Sequence, residues 1–434
     1  MPPLKRRPSE IEAALAQLDR EHLRRERRTI DGFVEPGSRV TTIVDGRQLV
    51  DFSSNDYLGL ARHPAVAAAM SECAERCGAG SGASHLVTGH GAEHTRLEEE
   101  LAAFTGRERA LLFSTGYMAN LAVMTTLAGR GETVLLDRLS HASLIDGGLL
   151  SGARFRRYAH ADARGAESAL AAHAENTSVV ATDGVFSMDG DVGPLDALAR
   201  VSRSHDAWLV VDDAHGLGVI GATGRGAVEY FGLDAEAVPV LVGTLGKAFG
   251  SFGAFVAGSN ELIELLMQKA RSYIYTTALP QPVAAASRKA LEIAQRETWR
   301  RERVLALTAR FRAAAEQMGI PLMATLATGA PPAPSTSVRA GGPSPSSHAE
   351  PARPHAQPLT PIQPVLLGSS EAALQAQRAL LDAAFCVVAI RPPTVPRGSA
   401  RLRVTLSAAH TETQVDSLVE ALSRVCAGRD TVSP

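Results

Sequence analysis

Short apolar runs recur between segments of helical period, and this alternation limits the fold more than any other feature of the chain. The runs are ALLFS (110–114), TVLLD (133–137), SVVATDG (178–184), AWLVVDDAH (207–215) and PVLVG (239–243), joined by RFRRY (154–158). Between them the spacing predicts helices over 64–77, 92–105, 117–128, 141–150 and 195–204. Such a pattern fits an α/β fold with a large, mostly parallel sheet covered on both faces by helices. In sheets of this kind ligands bind beyond the carboxyl ends of the strands, so chemistry is sought there.

The flanks read differently. Ile11, Leu15, Leu18 and His22 lie at helical spacing and predict an amphipathic arm over 9–28, bearing Arg24, Arg25, Arg27 and Arg28. VTTIVDGRQLVDF predicts a hairpin turning at Asp45-Gly46. After two helical segments (280–318), residues 327–361 carry nine prolines among Ala, Gly and Ser, too few apolar groups to offset the entropy of ordering, and read as a flexible inserted loop. Strand 362–368, helix 370–384, strands 387–391 and 401–406, and helix 411–425 complete an α+β module. The expected division is an arm and hairpin (1–50), a large domain (51–280) and a smaller C-terminal domain (281–434).

With 434 residues, 45% of them hydrophobic, the chain can bury a large core. Its net charge of −2 comes from 44 basic and 46 acidic residues that are well mixed, which argues against a nucleic-acid or membrane partner. Four cysteines are too few for a disulfide scaffold, and no apolar stretch approaches ~20 residues. The expectation is a reduced, soluble, cytoplasmic protein.

Three strand ends carry candidate chemistry. One bears Asp212, Asp213 and His215; one bears Thr244 and Lys247; one opens a helix with Thr115-Gly116-Tyr117. A helix N-terminus preceded by glycine suits a phosphate. A lysine after glycine can reach a carbonyl cofactor and form a Schiff base. A carboxylate at a buried strand end can hold a pyridinium protonated. Taken singly, Lys247 reads as a solvated loop lysine, and the aspartates as a helix cap or a metal pair. GAGSGAS (78–84) has near-dinucleotide glycine spacing but follows a helix. His85, His90 and His94 lack the glutamate placement of a zinc helix, Cys73 and Cys77 have no second pair, and no metal is expected.

In order, FSSNDYLGL, GSGASHLVTG, RALLFSTGYMAN, DRLSHASLIDG, TDGVFSMDGD, VVDDAHGLGVIG, GTLGKAFG, YIYTTALP, IRPPTVP and ARLRVTLSAAHT fall between residues 52 and 411, within a pattern that runs roughly over 10–425. With these segments the chain resembles the α-oxoamine synthases, fold-type I enzymes dependent on pyridoxal 5'-phosphate (PLP). Within that family it is most similar to the branch that makes 8-amino-7-oxononanoate for biotin. The resemblance implies a homodimeric transferase joining L-alanine to a pimeloyl thioester, carried by acyl carrier protein or coenzyme A, with loss of CO2. It implies Lys247 as the Schiff-base lysine, Asp212 on the pyridinium nitrogen, His215 on the ring hydroxyl and His141 over the ring face. Gly116, Tyr117 and Thr244 match phosphate contacts, and Ser187 lies on the hydroxyl side. Thr276 and Thr277 match positions reaching the neighbouring subunit's phosphate. Arg403 matches the arginine that holds the amino-acid carboxylate, while Thr394 and an arm arginine, best matched by Arg28, fall at acyl-substrate positions. Sister enzymes that join glycine to acetyl thioesters are the alternative; an aminotransferase of the same fold, or a binding protein without catalysis, stands further off.

Overall fold

A computed structural model describes residues 8–172, 177–323 and 357–427. The arm helix runs Pro8–Arg20 and stops short of the expected residue 28. His22 turns the chain with φ +55°, so that the Leu23 amide closes back on Leu18 O at 2.8 Å and ends the helix, and the Arg391 guanidinium donates to the His22 and Arg24 carbonyls just beyond it. From Leu23 to Thr29 the arm is therefore extended or irregular rather than helical. Strands β1 (Gly32–Phe33), β2 (Thr41–Val44) and β3 (Arg47–Asp51) follow. The β2–β3 turn falls at Asp45 (φ +51°) and Gly46 (φ +72°), the positive pair a two-residue hairpin demands.

The large sheet comprises β4 (Arg109–Phe113), β5 (Thr133–Asp137), β6 (Arg154–Tyr158), β7 (Thr177–Asp183), β8 (Trp208–Asp212), β9 (Val240–Thr244) and β10 (Ala254–Gly258). Their spatial order is β4-β10-β9-β8-β7-β5-β6. The β5–β9 pairings are parallel, whereas β10 runs antiparallel to both β9 and β4. The sequence alternation did not reveal β10. Residues 245–253 are too few to hold a crossover helix, so the chain can only double back.

Alternate side chains along the strands enter opposite cores. Leu112, Leu135, Val180, Leu209, Val211 and Leu241 face one, while Leu111, Leu136, Val179, Val210, Val242 and Val256 face the other. Both faces are thus buried beneath helices, as continuous apolar strands require.

In the C-terminal part, β11 (Ile362–Gly368), β12 (Phe385–Cys386), β13 (Val388–Ile390) and β14 (Ala400–Thr405) appear in chain order. They form the sheet β11-β14-β13, while β12 joins the N-terminal hairpin by pairing parallel to β3. The strand expected over 387–391 is β13, and β12, just before it, belongs to the other sheet. The proline-rich expectation over 327–361 falls mostly outside the described residues. Its end, 357–361, is not loose: Gln357 bonds both the Val192 amide and carbonyl, and Thr360 Oγ1 donates to Gly190 O at 2.6 Å.

Candidate active site

The carboxyl ends of β5, β7, β8 and β9 lie side by side and present Asp137, Asp183, Asp212 and Thr244. Asp212 and Asp213 diverge because successive strand residues point to opposite sides. Asp212 accepts from Asn120 Nδ2 at 2.6 Å and from the Ala214 amide at 3.1 Å. Asp213, fully buried, turns inward to the Ala227 amide at 2.7 Å and leaves Oδ1 without a partner. Burial pushes its pKa up to about 8, so it stays largely protonated at neutral pH. Gly226 (φ +87°) passes so close that a Cβ there would stand 1.9 Å from Asp213 Oδ2. Asp213 is a brace for the turn, and Asp212 is the carboxylate aligned with the cleft groups.

Thr244 clasps the segment that carries Lys247: its hydroxyl donates to Gly253 O and accepts from the Gly246 amide. Lys247 Nζ lies 2.7 Å from His215 Nε2, and His215 Nδ1 lies 2.7 Å from Tyr57 Oη. Tyr57 Oη also lies 3.1 Å from Asn55 Oδ1, which can only accept. The consistent assignment has His215 donating from Nδ1 to Tyr57 and accepting the lysine proton at Nε2. Burial and the nearby Lys247 and Arg403 charges hold the His215 pKa well below its ordinary value. Burial also lowers Lys247 to about 8, against the opposing pull of Asp212. A lysine so placed carries a sizeable neutral fraction near physiological pH.

His141 caps the helix Ala142–Leu150, accepting from the Ser143 amide, and its ring is exposed to the cleft. Ser143 Oγ links it onward to Asn120, and thus to Asp212. Thr115 caps the helix Gly116–Leu127 through the Met118 amide. The Gly116 and Tyr117 amides precede any intrahelical acceptor, and a Cβ at Gly116 would meet nothing within 4 Å. Tyr117 Oη donates to Asp146.

Arg403, on β14 and 6% exposed, donates to Ser187 O at 2.6 Å, Asn55 Oδ1 at 3.0 Å and, more weakly, Tyr57 Oη at 3.4 Å. Lys247, His215, Tyr57, Asn55, Arg403 and Ser187 therefore form one hydrogen-bonded series. Thr276 and exposed Thr277 stand apart from it. Thr276 Oγ1 donates to Ser272 O, and Thr277 bridges to Ser84.

The acyl-site residues line a separate cleft of about 520 Å³ between the arm and the C-terminal part. Arg25 and Arg28 both line this cleft, and Arg25 contacts Thr394, with Nη2 3.3 Å from its Oγ1. Arg28 instead lies near Cys386. The arm leaves its helix at His22, so helical spacing could not say which arginine faces Thr394. Asn55, Tyr57 and Asn120 were also missed as site residues. The first two lie in FSSNDYLGL, and Asn120 stands one turn beyond Gly116.

A metal reading of His85, His90 and His94 gains nothing from their closeness. His94 accepts the Gly91 amide at Nδ1 and bonds Leu279 O through Nε2, which leaves it no lone pair for an ion.

A half-buried lysine of lowered pKa, a strand-end carboxylate and a helix N-terminus with free amides together suit PLP. This fold and site define a fold-type I PLP-dependent enzyme. The family model for class I and II aminotransferases matches residues 47–422, and the chain belongs to that family. Within it, the chain belongs with the 8-amino-7-oxononanoate synthases. It is 56% identical to the synthase of Methylococcus capsulatus (95% of this chain, 97% of the relative) and 53% identical to that of Thioalkalivibrio sulfidiphilus (98% and 99%). Among solved structures, a serine palmitoyltransferase from S. paucimobilis with bound PLP–myriocin superposes with a TM-score of 0.83 at 28% identity (96% and 97%). The 8-amino-7-oxononanoate synthase of Francisella tularensis gives 0.68 at 30% identity (87% and 97%). Backbone similarity does not separate these sister enzymes; the much higher sequence identity does.

Proposed function

We propose that the chain condenses L-alanine with a pimeloyl thioester, releasing CO2 and the carrier thiol to form 8-amino-7-oxononanoate in biotin synthesis. The observation that carries the substrate reading is Arg403. Its guanidinium is buried against neutral acceptors, and among the described residues no carboxylate pairs with it. Arg401, two residues away on the same strand, has Asp189. A buried cation without a counter-ion is costly, and the carboxylate of an amino acid supplies one in a bidentate geometry.

Bound PLP supplies an electron sink for the charge left at the amino-acid α-carbon. Asp212 would face its ring nitrogen, His215 and Ser187 its hydroxyl side, and His141 its exposed ring face. Gly116, Tyr117 and Thr244 would hold the phosphate. Lys247 would hold the cofactor through its aldehyde carbon, and its amine, when neutral, could take the α-proton of alanine. His215, neutral and accepting at Nε2, keeps that amine directed while Tyr57 fixes the ring. Arg403 orients the carboxylate that departs as CO2. Arg25 and Thr394 would meet the acyl chain in the arm cleft.

The enzyme acts as a homodimer in the cytoplasm, with Thr276 and Thr277 facing the neighbouring subunit's phosphate. Exposed Leu86, Val87 and Tyr275 near these threonines support such a contact. No described helix is long and apolar enough to cross a membrane. Either acyl carrier protein or coenzyme A would serve as carrier. Incubation with L-alanine and each pimeloyl thioester should release thiol and CO2 in equal amounts; amino-group exchange without CO2 would instead indicate an aminotransferase.

A further inference from the structure

Beyond the cofactor cleft, one imidazole stands between two carboxylates. His160, in the loop after β6, places Nδ1 3.0 Å from Asp137 Oδ1 and Nε2 2.8 Å from Asp191 Oδ2. Carboxylates only accept, so both ring nitrogens donate and the ring is an imidazolium. Burial opposes that charge, but Asp137 and Asp191 raise the pKa to about 10. The ring also packs edge-on against Phe186, with centroids 4.4 Å apart at 89°. His160, Asp189 and Asp191 lie close enough to suggest a cation site. Both imidazole nitrogens are engaged, however, and Asp189 pairs with Arg401, so the imidazolium already provides the positive charge.

The two carboxylates shape different loops. Asp137 accepts the Leu139 and Ala161 amides and so sets the segment leading to His141. Asp191 closes the turn over 184–193, where its carbonyl accepts the Phe186 amide and Val185 bridges Val192. That turn carries Ser187, whose carbonyl receives Arg403 Nε.

We propose that His160 is a positioning residue for the amino-acid substrate: clamped between Asp137 and Asp191, it fixes the 184–193 turn so that Ser187 aims Arg403 at the substrate carboxylate. This rests on the assignment of Arg403 to that carboxylate. Gln357 and Thr360 brace the same turn from its other side, so it survives loss of His160 while its alignment with Arg403 does not.

The test uses holoenzyme variants, with alanine titrated against the visible absorbance of the bound cofactor. His160→Asn should raise the alanine dissociation constant about tenfold, since a charge-assisted contact to the turn is lost. The KM for pimeloyl thioester should stay within about twofold, and circular dichroism should be unchanged. Asp191→Asn should give the same split and decides the matter if His160→Asn does not fold. Unchanged alanine binding in a folded variant, or an equal rise in both constants, would overturn the proposal. Arg403→Lys is the control. If it weakens alanine binding while His160→Asn does not, the clamp alone fails; if it has no effect, the carboxylate assignment fails and the proposal with it.

Discussion

Lys247 Nζ and His215 Nε2 are 2.7 Å apart, and the other nitrogen of the same ring is held by Tyr57. The lysine therefore has an acceptor fixed in direction before any substrate arrives. With its pKa lowered to about 8, it can exchange a proton near neutrality. Lys247→Ala should lower turnover by at least about 10²–10⁴-fold, the range for a lost acid–base group. Steady-state thiol release measures this, and a fully active variant would refute the site.

Asp212 and Asp213 are neighbours with opposite surroundings. Asp212→Asn should reduce the rate by at least about 10²-fold, because it removes a preorganised charge from the cleft. Asp213→Asn should leave the rate nearly unchanged, since that carboxyl is already largely protonated and an amide oxygen can still accept the Ala227 amide. Asp213→Ala should cost about 1–3 kcal/mol in stability by orphaning that amide. Comparison of kcat with urea midpoints for the three variants separates chemistry from bracing. Equal rate losses for the two Asn variants would contradict the assignment.

In the acyl cleft, Arg25→Ala should raise the KM for pimeloyl thioester by about tenfold, as expected for loss of a charge-assisted hydrogen bond. Arg28→Ala should raise it less. Arg391→Ala should resemble Arg25→Ala, because Arg391 holds the arm through the His22 and Arg24 carbonyls. The KM for alanine should change little in all three. A larger effect for Arg28 than for Arg25 would place Arg28, not Arg25, on the acyl substrate.

The His160 clamp also has a pH signature. Its folded pKa, about 10, lies above the unfolded value, so the folded state binds the proton more tightly. The stabilisation is fully present below about pH 6.5 and is lost as pH rises through about 10. Asp137 and Asp191 face the ring on its two nitrogens, with Asp189 close by. The unfolding free-energy gap between native protein and His160→Asn should narrow from pH 6 to pH 10.5. A constant gap would mean that the ring is not clamped as a cation.

Much of this was legible in the sequence because its signals are local. Buried parallel strands announce themselves as apolar runs, and caps such as Thr115 sit where strands meet helices. The Asp45-Gly46 turn was equally plain. What escaped depends on contacts between distant segments. β10 is a strand only because β4 and β9 flank it. The unwound arm beyond Arg20 is held in place by Arg391, far along the chain, through the His22 and Arg24 carbonyls. The Arg25–Thr394 pairing follows from that unwinding, and residues 357–361 are ordered by Gly190 and Val192. Asn55 and Tyr57 gain meaning only once β14 brings Arg403 beside them.

The measurement that bears most directly on the function is a competition of acetyl, pimeloyl and long-chain acyl thioesters against alanine, glycine and serine. The methyl of alanine alone gives only about 1–3 kcal/mol of discrimination, so the acyl chain is the more telling variable. The account predicts the highest kcat/KM for pimeloyl thioester with L-alanine, with thiol and CO2 released together. Preferred turnover of acetyl thioester with glycine, or of a long-chain thioester with serine, would contradict it.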